Sequence, residues 1–312
     1  MNVFIAGHTG MVGSAVYNFF TKSADCKIFA CRRDDLDLRN SKDVYDYLVD
    51  NQISAVINCA AVVGGILANY EYPYSFLMDN MQIQNSLLSN SVKAGIRKFV
   101  FLGSSCIYPK MAPQPILENQ LLTGSLEPTN QWYAIAKISG VKACEAIRLQ
   151  LGYDYISVMP SNLYGPGDNF NLHASHVIPA MIRKFHNGKL SGEVVTLWGT
   201  GKVRREFLHV NDLARAIFQI FNLNLNYSLI NVGAGYDITL FELSKIISKV
   251  VGYNGIVSWD STKPDGTPRK LLDITRVTSL GWSPEFSLEN GLIETYNWFL
   301  QNANSFRDKN IS

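Results

Sequence analysis

The chain has 312 residues, of which 47% are hydrophobic and 17% charged, with a formal net charge of +2. That length buries a substantial core as one large domain or two smaller ones, and the near-balanced charge excludes the clustered basic surface that nucleic acid requires. Five scattered cysteines (26, 31, 59, 106 and 144), with no CxxC and no His–Cys cluster, exclude a disulfide framework and a structural zinc site, so no metal is expected.

The opening "MNVFIAG" has a short apolar run without a basic leader, and the longest apolar stretch, "ISAVINCAAVVGGILA" (53–68), is shorter than a membrane span and interrupted by Asn58. The expectation is a cytoplasmic enzyme or binding protein with no membrane partner. Residues 2–6 ("NVFIA") read as a buried strand, and Val12, Ala15, Val16, Phe19 and Phe20 follow at helical spacing. A second strand is predicted at 27–31, a helix from about Ser41 with that serine as N-cap, and further strands at 55–61, 98–103 and 154–160. Short apolar strands alternating with helices predict an α/β fold, a doubly wound parallel sheet of Rossmann type.

Beyond residue 165 the pattern loosens. Thr239 and Glu242 have capping-box spacing ahead of an apolar helical run that Gly252 ends. The expected organisation is a dinucleotide-binding domain over 1–165 and a smaller mixed α/β substrate domain over 166–312, part of which returns to the first domain.

The first strand runs straight into "GHTGMVG", where Gly7, Gly10 and Gly13 stand three apart at a strand-to-helix turn. The first glycine permits the tight turn, the second lets backbone approach a pyrophosphate, and the third lets helix pack on strand. An acidic residue at the end of the second strand would bind the ribose 2′-hydroxyl of NAD. Here that strand ends "ACRRDD", and Arg32 and Arg33 favour the 2′-phosphate of NADP(H). A solvated basic turn is the plainer alternative.

The strand at 98–103 ends in "GSSCIY", and polar groups there are costly unless something uses them. Downstream, "QWYAIAKISGVKACEAI" places Tyr133 and Lys137 four apart, on one helix face. A lysine ammonium beside a tyrosine favours the phenolate and lowers its pKa toward working pH. Such a tyrosine hands a proton to a carbonyl oxygen as hydride reaches the carbon, with Ser104 adding a second hydrogen bond.

"GHTGMVG", "SSCIY" and "YAIAK" resemble the extended short-chain dehydrogenases that modify nucleotide sugars. With "NLYGP" (162–166), "SHVIPA" (175–180), "REFLHVNDLA" (205–214) and "KPDGTPRKLLD" (263–273), the chain resembles the GDP-L-fucose synthase family nearly end to end. The resemblance puts reduction on Ser104, Tyr133 and Lys137, and an epimerising pair on Cys106 and His176. It implies cofactor contacts at Gly7, Gly10, Met11, Val12, Gly13, Arg33, Asp37, Leu38 and Ala60, besides Tyr133 and Lys137. Substrate contacts are implied at Asn162, Lys184, Trp198, Arg205 and Lys263. The residue types suit the chemistry, because inversion beside a ketone needs a base on one face and an acid on the other. Otherwise a buried cysteine is a small core hydrophobe, Trp198 a core residue and Arg205 half of a surface ion pair.

The implied activity is NADPH-dependent 3,5-epimerisation and 4-reduction of a GDP-4-keto-6-deoxy sugar, giving GDP-L-fucose or a related GDP-sugar, in a cytoplasmic homodimer. One alternative is a 4-reductase alone, on another GDP-4-keto sugar such as a heptose. Another is a non-catalytic dinucleotide sensor, against which intact Ser104, Tyr133 and Lys137 argue. There are three departures from the family's pattern: Thr9 and Lys184 stand where arginines are usual, and the pair Gln131-Trp132 where Glu-Pro is usual. The last departure motivates the reductase-only reading.

Overall fold

A computed structural model describes residues 1–23, 25–172, 175–263 and 265–302, the side chain of residue 66 excepted. Six parallel strands form the main sheet in the order Leu229–Val232, Asp154–Pro160, Lys98–Leu102, Ala55–Asn58, Asn2–Ala6, Lys27–Phe29. Alternation along the first strand explains why both faces are covered. Val3 and Ile5 join a core with Val16, Phe20, Leu213 and Ile217, whereas Phe4 and Ala6 join another with Val44, Leu48, Leu87 and Val141. The doubly wound parallel sheet expected from the alternating pattern is present.

Local signals account for several boundaries, and local competition for the differences. Thr239 and Glu242 form a reciprocal capping box on helix Leu240–Val251, and Gly252 ends it with φ 75°. The helix Ser41–Asp50 is capped one residue earlier than expected. Asn40 Oδ1 accepts from the N–H groups of Lys42 and Asp43, so Ser41 is the first helical residue. The strand expected at 55–61 stops at Asn58, because its side-chain oxygen accepts the Ala60 N–H at 3.0 Å and turns the chain. The strand expected at 27–31 stops at Phe29, and Cys31 and Arg33 swing out to line a cavity.

The later part of the chain builds small sheets and a separate core. Strands Val195–Trp198 and Val257–Asp260 pair, Asn162–Tyr164 pairs with Phe207–His209, and Arg204–Arg205 lies between Ile238–Thr239 and Arg269–Lys270. Helices Val177–Ser191, Leu240–Val251 and Leu288–Asn302 enclose a core that includes Ile182, Phe185, Leu243, Ile247 and Leu292. Among the described residues, no helix is long and apolar enough to cross a membrane.

Gly13 tests the close packing of the first turn. A Cβ there would lie 2.0 Å from the Gly7 carbonyl oxygen, a backbone atom that cannot swing aside, whereas one at Gly10 would meet the same oxygen at 3.6 Å. Gly13→Ala is therefore expected to cost about 1–3 kcal/mol in urea unfolding and Gly10→Ala about 0.5 kcal/mol or less. Equal losses would mean the helix is not pressed on the turn.

Candidate active site

The sheet reverses its order at the first strand, which has Lys27–Phe29 on one side and Ala55–Asn58 on the other. Crevices open at the carboxyl ends of strands at such a point. Here a cavity of about 840 Å³ begins at that reversal and runs between the main sheet and the later segments. Gly7 has φ 80°, and a Cβ on it would stand 2.7 Å from the backbone of Ala60, so conformation and packing both require glycine. Helix Met11–Ser23 starts at the turn, and its first N–H groups, including those of Met11 and Val12, point out of its end. Gly10, Gly13, Leu38 and Ala60 line the same region.

Two arginines, Arg33 and Arg39, line this end of the cavity, while Arg32 does not. Asp37 also lines it, but Arg39 grips its carboxylate at 2.6 and 3.0 Å and holds its pKa at about 2. Arg39 reaches Asp79 as well, at 3.4 Å. Sequence reasoning did not single out Arg39, because nothing local distinguishes it from a solvated charge.

The strand Lys98–Leu102 delivers the polar cluster. Ser104 caps a short turn, Ser105–Ile107, and its Oγ accepts the Cys106 N–H at 3.3 Å. Helix Gln131–Leu151 brings up Tyr133 and Lys137. The buried Lys137 ammonium donates to the Leu102 carbonyl at 2.8 Å and lies 5.8 Å from the Tyr133 ring centre. Burial lowers its pKa to about 8, against the upward pull of Cys106 and Cys59. The effect expected of lysine on tyrosine is outweighed. Burial, with Cys106 behind it, pushes the Tyr133 phenol above its ordinary value, so the phenol rests in its proton-bearing form.

Cys106 and His176 line the cavity too. Burial raises the Cys106 thiol, and the strongest opposing charge is that of Lys270, ahead of Ser104 and Lys137. Lys270 was missed in the sequence reading. It arrives by tertiary register, because strand Arg269–Lys270 pairs with Arg204–Arg205 and sets Lys270 beside Arg205. His176 stands at the N-cap of helix Val177–Ser191, open to the cavity yet walled by protein, which lowers its pKa.

Of the expected substrate residues, Asn162, Lys184, Trp198 and Arg205 line the cavity. The Asn162 amide donates to the Glu206 carbonyl at 2.7 Å, and the Lys184 ammonium to the Thr196 carbonyl at 2.8 Å. Lys263 does not line it. Its ammonium lies 5.6 Å from the Trp198 ring centre, while Lys270, from the same "KPDGTPRKLLD" stretch, reaches inside. Gln131 and Trp132 stay outside the lining as well.

A family model described as "NAD dependent epimerase/dehydratase family" matches residues 3–233. The chain belongs to this family. Among its relatives, GDP-L-fucose synthase of Escherichia coli (strain K12) is 50% identical over 315 residues, covering 98% of each chain. A GDP-6-OMe-4-keto-L-xylo-heptose reductase from Campylobacter jejuni matches with a TM-score of 0.91 at 31% identity, over 96% of this chain and 98% of that one. A GDP-L-fucose synthetase from Naegleria fowleri bound to NADP matches with a TM-score of 0.89 at 26% identity, over 98% and 96%.

For an epimerase/dehydratase family member, the cavity offers two kinds of chemistry. Ser104 and Tyr133 can hydrogen-bond a carbonyl oxygen, and Cys106 and His176 can exchange protons with carbon beside it. At the thiol, Lys270 is the strongest charge opposing the effect of burial. Replacing that cation in Lys270→Met should move the pH midpoint for alkylation of Cys106 upward, as read by mass spectrometry of iodoacetamide-treated protein, because the thiolate loses its strongest charge partner. An unmoved midpoint would show that Lys270 does not act on the thiol.

Proposed function

We propose that the protein uses NADPH to reduce the C4 carbonyl of a GDP-4-keto-6-deoxy sugar after inverting C3 and C5, giving GDP-L-fucose or a related GDP-sugar. The observation that carries this reading is the convergence of three groups of residues on one cavity: the glycine turn with Arg33, the Ser104–Tyr133–Lys137 cluster, and Cys106 with His176. A dinucleotide sensor has no use for the second and third. The turn suits a dinucleotide, since Gly7 and Gly13 pack it tightly and Gly10, with room where a Cβ would stand, leaves backbone a phosphate can approach, at a helix N-terminus that favours negative charge. Arg33 would face the 2′-phosphate.

NADPH, when bound, supplies the hydride. The protein's own work is on the sugar. Ser104 and Tyr133 hold the C4 oxygen, and Tyr133, protonated at rest, gives that oxygen its proton as the carbonyl is reduced. Lys137, largely charged at neutral pH, stabilises the phenolate left behind. For inversion, Cys106, which burial holds as a thiol at rest, must first give up its proton. The thiolate then takes the proton from carbon, the electron pair moves to the C4 oxygen as an enolate, and His176, once protonated, returns a proton to the other face. Lys184, Arg205 and Lys270 put positive charge on the same cavity wall system, which suits an anionic diphosphate.

The heptose reductase match favours a reductase-only reading, yet the sequence feature that motivated it, Gln131-Trp132, lies outside the cavity lining. The epimerase-reductase reading is the better supported of the two. We also read the chain as a cytoplasmic homodimer. Five unpaired cysteines fit a reducing compartment. Exposed Tyr74, Trp132, Ile135 and Leu149, on helices Pro73–Lys93 and Gln131–Leu151, offer apolar surface to a second copy.

Three measurements check the reading. Arg33→Ala should weaken NADPH much more than NADH in fluorescence titrations, since only NADPH carries the 2′-phosphate; equal weakening would reject that contact. Tyr133→Phe should slow reduction by about 10²–10⁴-fold while leaving NADPH affinity nearly intact. In D₂O without NADPH, the wild-type protein should wash deuterium into C3 and C5 of GDP-4-keto-6-deoxy-mannose, and Cys106→Ser should suppress it. No wash-in above an enzyme-free control, alongside reduction of a pre-epimerised substrate, would leave a simple 4-reductase.

A further inference from the structure

One buried acid has no part in the chemistry above. Glu206 follows Arg205, is 0% exposed, and among the described residues has no ion-pair partner. A carboxylate in such a place is costly unless its oxygens are satisfied. Backbone groups satisfy them. Oε1 accepts the Gly235 N–H at 2.8 Å and Oε2 accepts the Leu272 N–H at 2.9 Å. Gly233 makes room for this group, since a Cβ there would fall 2.3 Å from Oε1.

The two segments held in this way come from different parts of the fold. Residues 233–235 continue from Leu229–Val232, the edge strand of the main sheet, and Leu272 follows the strand that carries Lys270. The backbone of Glu206 adds two more ties. Its N–H donates to the Lys270 carbonyl at 3.3 Å, and its carbonyl accepts the Asn162 amide at 2.7 Å. The neighbouring Leu271 is pinned in turn to the segment after Cys106: its N–H donates to Gln114 Oε1 at 2.8 Å, and its carbonyl accepts from Ile116 at 2.8 Å. One residue, through its backbone and side chain together, thus ties Asn162 and the Lys270 segment next to Arg205, and all three of these line the cavity.

We propose that Glu206 is a positioning residue for the sugar-nucleotide end of the cavity, its two carboxylate oxygens fixing the Lys270 segment against the edge of the main sheet. The proposal rests on the sugar-nucleotide reading given above. An apolar side chain would fill the same space, but it would leave two buried N–H groups without acceptors and the segment free to shift. The cationic wall facing a diphosphate depends on that register. The glycine turn receives none of these hydrogen bonds, so dinucleotide affinity is set elsewhere.

The test is calorimetric titration of GDP and, separately, of NADPH into wild type, Glu206→Gln and Gly233→Ala. Glutamine keeps the size but aims a donor at one of the two N–H groups. Gly233→Ala keeps the carboxylate and presses a methyl against Oε1. In both variants the Kd for GDP should rise about tenfold or more while that for NADPH stays within about twofold, since small displacements of positioning groups are costly. With sugar nucleotide as substrate, KM should rise more than kcat falls. A merely structural defect would lower the number of folded sites and reduce binding of both ligands alike. Should Glu206→Gln fail to fold, Gly233→Ala decides. Unchanged GDP affinity, or equal losses for GDP and NADPH, would overturn the positioning role alone. Failure of the wild-type protein to bind GDP would overturn the sugar-nucleotide reading and this proposal with it.

Discussion

The reacting end of the cavity is organised around one buried ammonium. Lys137 has no carboxylate partner among the described residues; it rests on the Leu102 carbonyl and over the ring of Phe101, 5.0 Å from its centre. A carbonyl dipole and an aromatic face are modest compensation for desolvating a cation, and the lowered pKa is the residue of that imbalance. The charge nevertheless persists at neutral pH. It fixes the end of a strand, the first turns of a helix and two thiols, Cys59 and Cys106, into one electrostatic unit.

A division of labour follows from where the chain brings its charges. The main sheet supplies backbone, hydroxyls and proton-transfer groups at the carboxyl ends of its strands, where parallel pairing leaves loops free to diverge. The later segments supply His176 and the cations Lys184, Arg205 and Lys270, while Arg33, Arg39 and Lys137 come from the first part of the chain.

Most of the fold was legible in the sequence because its signals are local. The glycine turn, the Thr239–Glu242 box and Gly252 each act within a few residues, and the alternation of apolar runs predicted the doubly wound sheet. Boundaries slipped where two local groups compete: Asn40 took the cap from Ser41, and the Asn58 side chain ended a strand that apolar composition alone would have continued. The site was less legible. "KPDGTPRKLLD" contains two lysines, and only the pairing of Lys270 with Arg205 across a short sheet reveals which one faces the cavity. Arg39 and Glu206 were invisible for the same reason, since their partners lie in other segments or depend on the turn of the chain. Gln131-Trp132 drew notice as an unusual pair beside Tyr133, but helix geometry turns both away from the cavity lining.

The edge position of Leu229–Val232 has a bearing on how the chain is made. Its partner strand, Asp154–Pro160, is synthesised long before it, and the segments between them are divided between two cores, helix Val210–Phe221 packing on the main sheet and helix Val177–Ser191 in the separate core. During translation the half-finished sheet therefore keeps a bare row of amides and carbonyls on Asp154–Pro160 until residue 232 has cleared the ribosome. An unpaired strand of that kind is where a nascent chain pairs with the wrong neighbour.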